Sequence, residues 1–285
     1  MSNFKTSCFL SVDRELEAVL KSVEQLKNEG FDAVEPISLR DYWDDNVAIY
    51  NAEKIREKVL ELGMTVSCYS LAVNMLSDPN ARKLLKKTTD LAAAMGAPYL
   101  HHTMELKMNY TNLPAYGSVE PTFVEISREA AEYAGEKGIT CIYEDQGFLI
   151  NTPDRLDSLI TKVNMPNVGV CLDVGNSLFY DIPAEEFTGR FAGMIKNVHI
   201  KDYLYKTTPP GPDKWHRTIH GNYLMDCPVG HGAVNFDRIF SILVKAGYDG
   251  YYSLEGTGHH DRANGVELAM NAMKFFYDRA MANNI

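Results

Sequence analysis

Four residues with the chemistry of metal ligands each close a short apolar run: Glu144 after Ile142-Tyr143, Asp173 after Cys171-Leu172, His199 after Asn197-Val198, and Glu255 after Ser253-Leu254. Three carboxylates and one imidazole offer hard oxygen donors with one borderline nitrogen. That set suits one divalent cation, manganese first and magnesium or cobalt next, better than a thiolate-seeking structural zinc. A carboxylate at a strand end also caps the following helix, and Asp173 taken alone reads equally well that way. A capping role does not demand a histidine, and four such residues in succession point to a shared site.

The elements that must position them follow from periodicity. Short β-branched or aromatic runs alternate with longer stretches of helical apolar spacing, which is the pattern of repeated βα units around a parallel sheet. The spacing predicts strands over Ser7–Ser11, Ala33–Ile37, Thr65–Leu71, Tyr99–Thr103, Thr140–Tyr143, Val168–Leu172, Val198–Lys201 and Gly250–Leu254. Helices are predicted over Glu15–Asn28, Ala52–Leu62, Asn80–Met95, Thr122–Lys137, Phe236–Ala246 and Gly265–Ala282, among others. Gly30, Gly138 and Gly247 each end a helical stretch just before a strand, where a left-handed glycine terminates the helix. Eight such units give an α/β fold, a single (β/α)8 TIM barrel, expected to form one domain over residues 1–285 because no Gly- or Pro-rich linker divides the chain. In such a barrel the C-terminal strand ends converge on one rim, so the four ligand candidates meet around one ion. The longest irregular stretch, Tyr203–Val234, contains Pro209-Pro210-Gly211-Pro212 and reads as a lid or hairpin excursion.

Composition narrows the function classes. The chain has 285 residues, 45% hydrophobic and 23% charged, enough to bury a substantial core. A net charge of -10 opposes a nucleic-acid ligand. Lys83, Lys86 and Lys87 cluster on a helical stretch and read as a solvated outer face. The first residues carry no basic-then-apolar leader pattern, and no apolar run is long enough to cross a bilayer, so the expected setting is the cytoplasm with no membrane partner. Five widely spaced cysteines argue against a disulfide framework and read as buried thiols.

The segments Gly30-Phe31-Asp32-Ala33-Val34-Glu35, Leu172-Asp173-Val174-Gly175-Asn176, His199-Ile200-Lys201-Asp202, Pro228-Val229-Gly230-His231-Gly232 and Tyr252-Ser253-Leu254-Glu255 resemble the xylose isomerase-like TIM barrel superfamily, the sugar phosphate isomerase/epimerase group. The resemblance covers nearly the whole chain. It implies that Glu144, Asp173, His199 and Glu255 hold the metal and that Glu144 and Glu255 also act as a two-base pair. One carboxylate oxygen can bind the ion while the other moves a proton beside a polarised carbonyl, through an enediolate. Where epimerases and endonucleases of the group carry a histidine three residues after the strand-six aspartate, this chain has Asn176, an amide suited to a substrate hydroxyl but not to a second metal.

Around that centre, Lys201 lies two residues after His199 and is expected on the same side, to bind an oxyanion; its other reading is a surface lysine. Alternation turns one of His101 and His102 inward, and His102 is the candidate substrate contact. His231 is a candidate contact or an exposed loop residue, and Tyr69, with Trp43, Tyr203 and Trp215, a candidate wall against a sugar ring or a buried aromatic. The leading expectation is an isomerase or epimerase acting on a small sugar-like substrate, possible as a homo-oligomer. A lyase or dehydratase uses the same metal site; a multi-metal nuclease or a non-catalytic sugar-binding barrel fits the charge pattern less well.

Overall fold

The computed structural model describes residues 4–106 and 111–283. The chain runs through β1 (Thr6–Ser11), β2 (Ala33–Ser38), the two short segments β3 (Thr65–Val66) and β4 (Tyr69–Leu71), β5 (Tyr99–His102), β6 (Thr140–Glu144), β7 (Val168–Asp173) and β8 (Ile195–Ile200). An excursion of β9 (Asp202–Lys206), β10 (His216–Arg217) and β11 (Tyr223–Cys227) precedes β12 (Tyr251–Leu254). All the strands outside that excursion pair in parallel, and β1 pairs with both β2 and β12, which closes the ring. Between and after them lie α1 (Leu16–Asn28), α2 (Asp45–Glu61), α3 (Ala81–Met95), α4 (Tyr116–Gly135), α5 (Pro153–Val163), α6 (Ala184–Phe191), α7 (Phe236–Lys245) and α8 (Arg262–Ala282). The architecture is a (β/α)8 TIM barrel, as the alternation of patterns requires.

Local chemistry sets the boundaries. Asp44 caps α2 by accepting from the Asn46 N–H at 2.9 Å, so the helix begins seven residues before the expected Ala52. Thr152 caps α5 with Pro153 in its first turn, and Asp261 caps α8 at Asn264 N–H, 3.1 Å. α4 also starts earlier than Thr122 and runs through Pro121, whose missing N–H leaves one bond of the helix unmade. Gly30, Gly138 and Gly247 all take positive φ at the joints where helix gives way to strand.

The predicted strand Thr65–Leu71 is broken. Val66 sits opposite Val34 and Ser70 opposite Ile37, so four steps of one chain face three of the other. That extra residue turns both Ser67 and Ser70 into the barrel, where a regular strand would place them on opposite faces. Ser67 Oγ meets Ser7 Oγ at 2.7 Å, and Ser70 reaches Glu35.

The main core lies between strands and helices, with Val19, Ile55, Phe123, Leu159 and Phe240 fully buried. The inside of the barrel is different. A small apolar cluster of Cys68, Ile142 and Cys171 occupies part of it, while Ser7, Glu35, Ser70, His101, Asn197 and His199 are also buried there or beside it. A barrel interior is usually filled by branched aliphatics, so this polar filling is a functional signal. All five cysteines are buried and free. Lys83 is exposed as expected, whereas Lys87 is tied to Asp41 and Asp45, 2.6 Å each, with only 13% of its side chain accessible. No helix among the described residues is long and apolar enough to cross a membrane.

Candidate metal centre

β6, β7, β8 and β12 are consecutive around the barrel, and their registers pair Glu144 with Cys171 and Asp173 with His199. The C-terminal ends of these strands bring one donor atom each from Glu144, Asp173, His199 and Glu255 within 4.8 Å of one another. His199 is fully buried, with Nδ1 2.8 Å from Glu144 Oε1 and 4.0 Å from Glu255 Oε2. Asp173 is also fully buried, and Oδ1 accepts the N–H groups of Gly175 and Asn176 at 2.8 and 3.0 Å. These bonds hold the turn that follows β7, while Oδ2 faces the cluster and pairs with Lys201 Nζ at 2.7 Å. One oxygen of Asp173 thus ties the backbone after β7 and the other is turned to the candidate ligand cluster.

Electrostatics test whether a cation fits. Burial, with Glu255 and Glu144 nearby, pushes the Asp173 carboxyl well above its ordinary range despite Lys201. Burial pushes the Glu144 carboxyl up in the same way, but His101 and His199 outweigh it and hold the group well below the ordinary value. Burial opposes the His199 imidazolium as well, and Cys171, Glu35 and Glu144 around it still lift its pKa well above the usual histidine value. Three carboxylates crowded at this distance repel one another, and a divalent ion would add to the offset that Lys201 and His199 provide. Donor chemistry, geometry and charge all fit such an ion.

Lys201 lies where alternation from His199 puts it: Nζ is 2.7 Å from Asp173 Oδ2 and 2.9 Å from Glu255 Oε2. Gly175 makes room for it, since a Cβ there would stand 2.8 Å from both Lys201 Cγ and the Tyr203 ring. Asn176 is buried beside Asp173, its carbonyl taken by Asn151 at 2.6 Å and its Nδ2 without a protein partner. A buried donor left open at the rim is the group a substrate hydroxyl would satisfy.

The other sequence candidates lie elsewhere. Of the histidine pair, His101 turns inward, with Nε2 3.3 Å from Glu144 Oε2. His102 turns outward against the Tyr143 ring, 5.2 Å between centroids, because the next strand residue must face the opposite side. Tyr69 precedes the inward Ser70 and so faces the helices, its hydroxyl 2.7 Å from Ser38 Oγ. Trp43 is buried and donates to the Arg14 carbonyl. His231 is exposed on the turn that leads out of the excursion. Tyr203 packs edge-on to Phe179 at the base of that excursion.

Glu35 was not among the sequence candidates. It is fully buried, and Oε1 lies 2.8 Å from His199 Nε2 and accepts from Ser70 Oγ at 2.5 Å, while Oε2 accepts from Asn197 Nδ2 at 2.8 Å. Burial raises its pKa, but His199 and these donors outweigh that and hold it at about 2. A carboxylate in the middle of the apolar run Ala33-Val34-Glu35-Pro36-Ile37 was the available signal.

A closed parallel barrel with carboxylates and a histidine clustered at its C-terminal rim defines a class of proteins, and the chain belongs to one family within it: the xylose isomerase-like TIM barrel family, whose pattern matches residues 23–279. The fold is shared with an L-ribulose 3-epimerase, with a TM-score of 0.76 at 15% identity over 98% of this chain and 96% of that one. It is shared too with a xylose isomerase-like TIM barrel protein from Mycobacterium smegmatis in complex with magnesium, TM-score 0.73 at 18% identity over 99% and 97%. By sequence, an inosose dehydratase of Bacillus cereus is 26% identical over 150 residues, 52% of this chain and 50% of that protein. The chain thus spans about half the length of the curated relatives it matches.

Proposed function

We propose that the chain is a metal-dependent isomerase or epimerase of a small polyhydroxylated carbonyl compound. The observation that carries this is the convergence of Glu144, Asp173, His199 and Glu255 within 4.8 Å, with a glutamate at each side of the set. A divalent ion held by these four residues, manganese being our choice and magnesium or cobalt the alternatives, would polarise the substrate carbonyl and lower the energy of an enediolate. Glu144 and Glu255 come from β6 and from the end of β12, so one takes the proton beside the carbonyl and the other returns one from a different direction. Return to the other face of the same carbon gives the epimer; return to the neighbouring carbon gives the aldose–ketose isomer. Lys201 Nζ offsets charge on the substrate oxygens, and Asn176 Nδ2 donates to a hydroxyl.

A second reading, a dehydratase, draws on the inosose dehydratase likeness. It shares the proton abstraction and differs in expelling a hydroxyl β to the carbonyl. Incubation of candidate ketoses and inososes with Mn2+-loaded protein in D2O tests both. The isomerase reading predicts solvent deuterium at the carbon beside the carbonyl in a rearranged or recovered sugar; an unsaturated, dehydrated product selects the second reading. Glu255→Gln is expected to lower incorporation at least 100-fold, the scale of a general acid–base contribution. Undiminished exchange in that variant excludes the two-base scheme.

A further inference from the structure

Behind the ligand cluster, buried side chains form a closed circuit: Glu35, Ser70, His101, Glu144 and His199, back to Glu35. It crosses the barrel from β2 to β8, so no sequence neighbour reveals it. We infer that Glu35 is a positioning residue that dictates which ring nitrogen of His199 is offered to the metal. This rests on the metal-centre reading above.

The argument is one of hydrogen-bond direction. A carboxylate has only acceptors, and Glu35 already takes Ser70 Oγ and Asn197 Nδ2 as donors. His199 Nε2, 2.8 Å from Glu35 Oε1, must then carry the ring N–H. With an ion bound the imidazole would be neutral and carry a single N–H, so the lone pair would be left on Nδ1, the nitrogen that faces Glu144 at 2.8 Å and Glu255 at 4.0 Å. The same carboxylate orients His101 through Ser70. The Ser70 hydroxyl gives its only hydrogen to Glu35, so its oxygen accepts from His101 Nδ1–H at 2.9 Å, which leaves His101 Nε2 facing Glu144 Oε2 at 3.3 Å. One buried carboxylate therefore sets both imidazoles, and the edge-on packing of Phe9 against His199, centroids 4.9 Å apart, keeps the ring from turning away.

The test uses the full-length chain. In the Mg2+-loaded wild type, histidine 15N–1H correlation spectra should assign the proton of His199 to Nε2; finding it on Nδ1 overturns the inference. Glu35→Gln can turn its amide to present either a donor or an acceptor. It should mix the two His199 tautomers and weaken Mn2+ binding, read by calorimetry, roughly 10- to 100-fold, as loss of a carboxylate behind a histidine ligand does elsewhere. Unchanged tautomer and Kd within twofold overturn it. Ser70→Ala leaves the Glu35–His199 bond in place and should change the His101 pattern but not that of His199; a change at His199 overturns the direct coupling. This variant and the wild-type spectra decide the matter even if Glu35→Gln does not fold. A wild type that binds neither ion removes the metal reading, while the spectra of that same sample, taken where the ring is neutral, still decide the role of Glu35: Nε2–H upholds it and Nδ1–H refutes it.

Discussion

His101 and His102 adjoin in sequence and part company in the fold. His101 joins the circuit behind the candidate metal centre, whereas His102 is sealed between strand and helix, and its Nε2 has no protein partner among the described residues. Burial first, and then the proximity of His101, depress the His102 pKa from 6.5 to about 3. The sign follows from proton uptake. Below pH 6.5 the unfolded chain binds a proton that the folded chain refuses until about 3, so stability present above 6.5 is lost as pH falls through that window. The loss approaches about 1.4 kcal/mol per pH unit. Urea unfolding between pH 7.5 and 5.5 should show a steeper decline for the wild type than for His102→Gln, and equal slopes would contradict burial of a neutral imidazole.

Elements turn such residues into a site. Asp202 follows the β8 rim and receives four backbone N–H groups, from Tyr203 at 2.8 Å, Gly230 at 3.0 Å, Gly232 at 2.8 Å and Val234 at 3.1 Å. It thereby ties both ends of the excursion to the barrel mouth. Gly232 has to be glycine for this, because a Cβ would lie 2.3 Å from Asp202 Oδ1. Asp181 holds the far side, with Tyr205, His220 and Asn222 converging on its carboxylate. Asp202→Asn presents N–H groups to N–H groups and should lower stability by about 1–3 kcal/mol. The exposed segment 207–214 should then be cut faster by a nonspecific protease. Unaltered cleavage and unfolding would show that the excursion is anchored elsewhere.

At the scale of the whole molecule, the balance of charge matters. A chain of net charge -10 concentrates three carboxylates at one rim, with Lys201 as the cation in direct contact with two of them. An ion that binds only the folded state adds stability by mass action, about 2.7 kcal/mol at a hundredfold excess over Kd. For a domain of this size that corresponds to a rise in Tm of roughly 5 °C. Thermal scans with and without Mn2+ check it, and Asp173→Asn should remove most of the rise. A Tm indifferent to Mn2+, Mg2+ and Co2+ alike would remove the metal centre from the account.

What the sequence by itself determined is what local periodicity can encode: the alternation of strand and helix, the glycine joints, and a ligand candidate at four successive strand ends. The placement of Asn176 and Lys201 beside the cluster was legible for the same reason, since each lies a few residues along the chain from a candidate ligand. The pairing of Glu35 with His199 was not legible, because it is made across the barrel by residues 164 positions apart. Nor was the inward turn of His101, which depends on the phase of one short strand, or that of Ser70, which depends on one extra residue opposite β2. A period of two residues states that faces alternate, and only closure of the ring decides which face is inside.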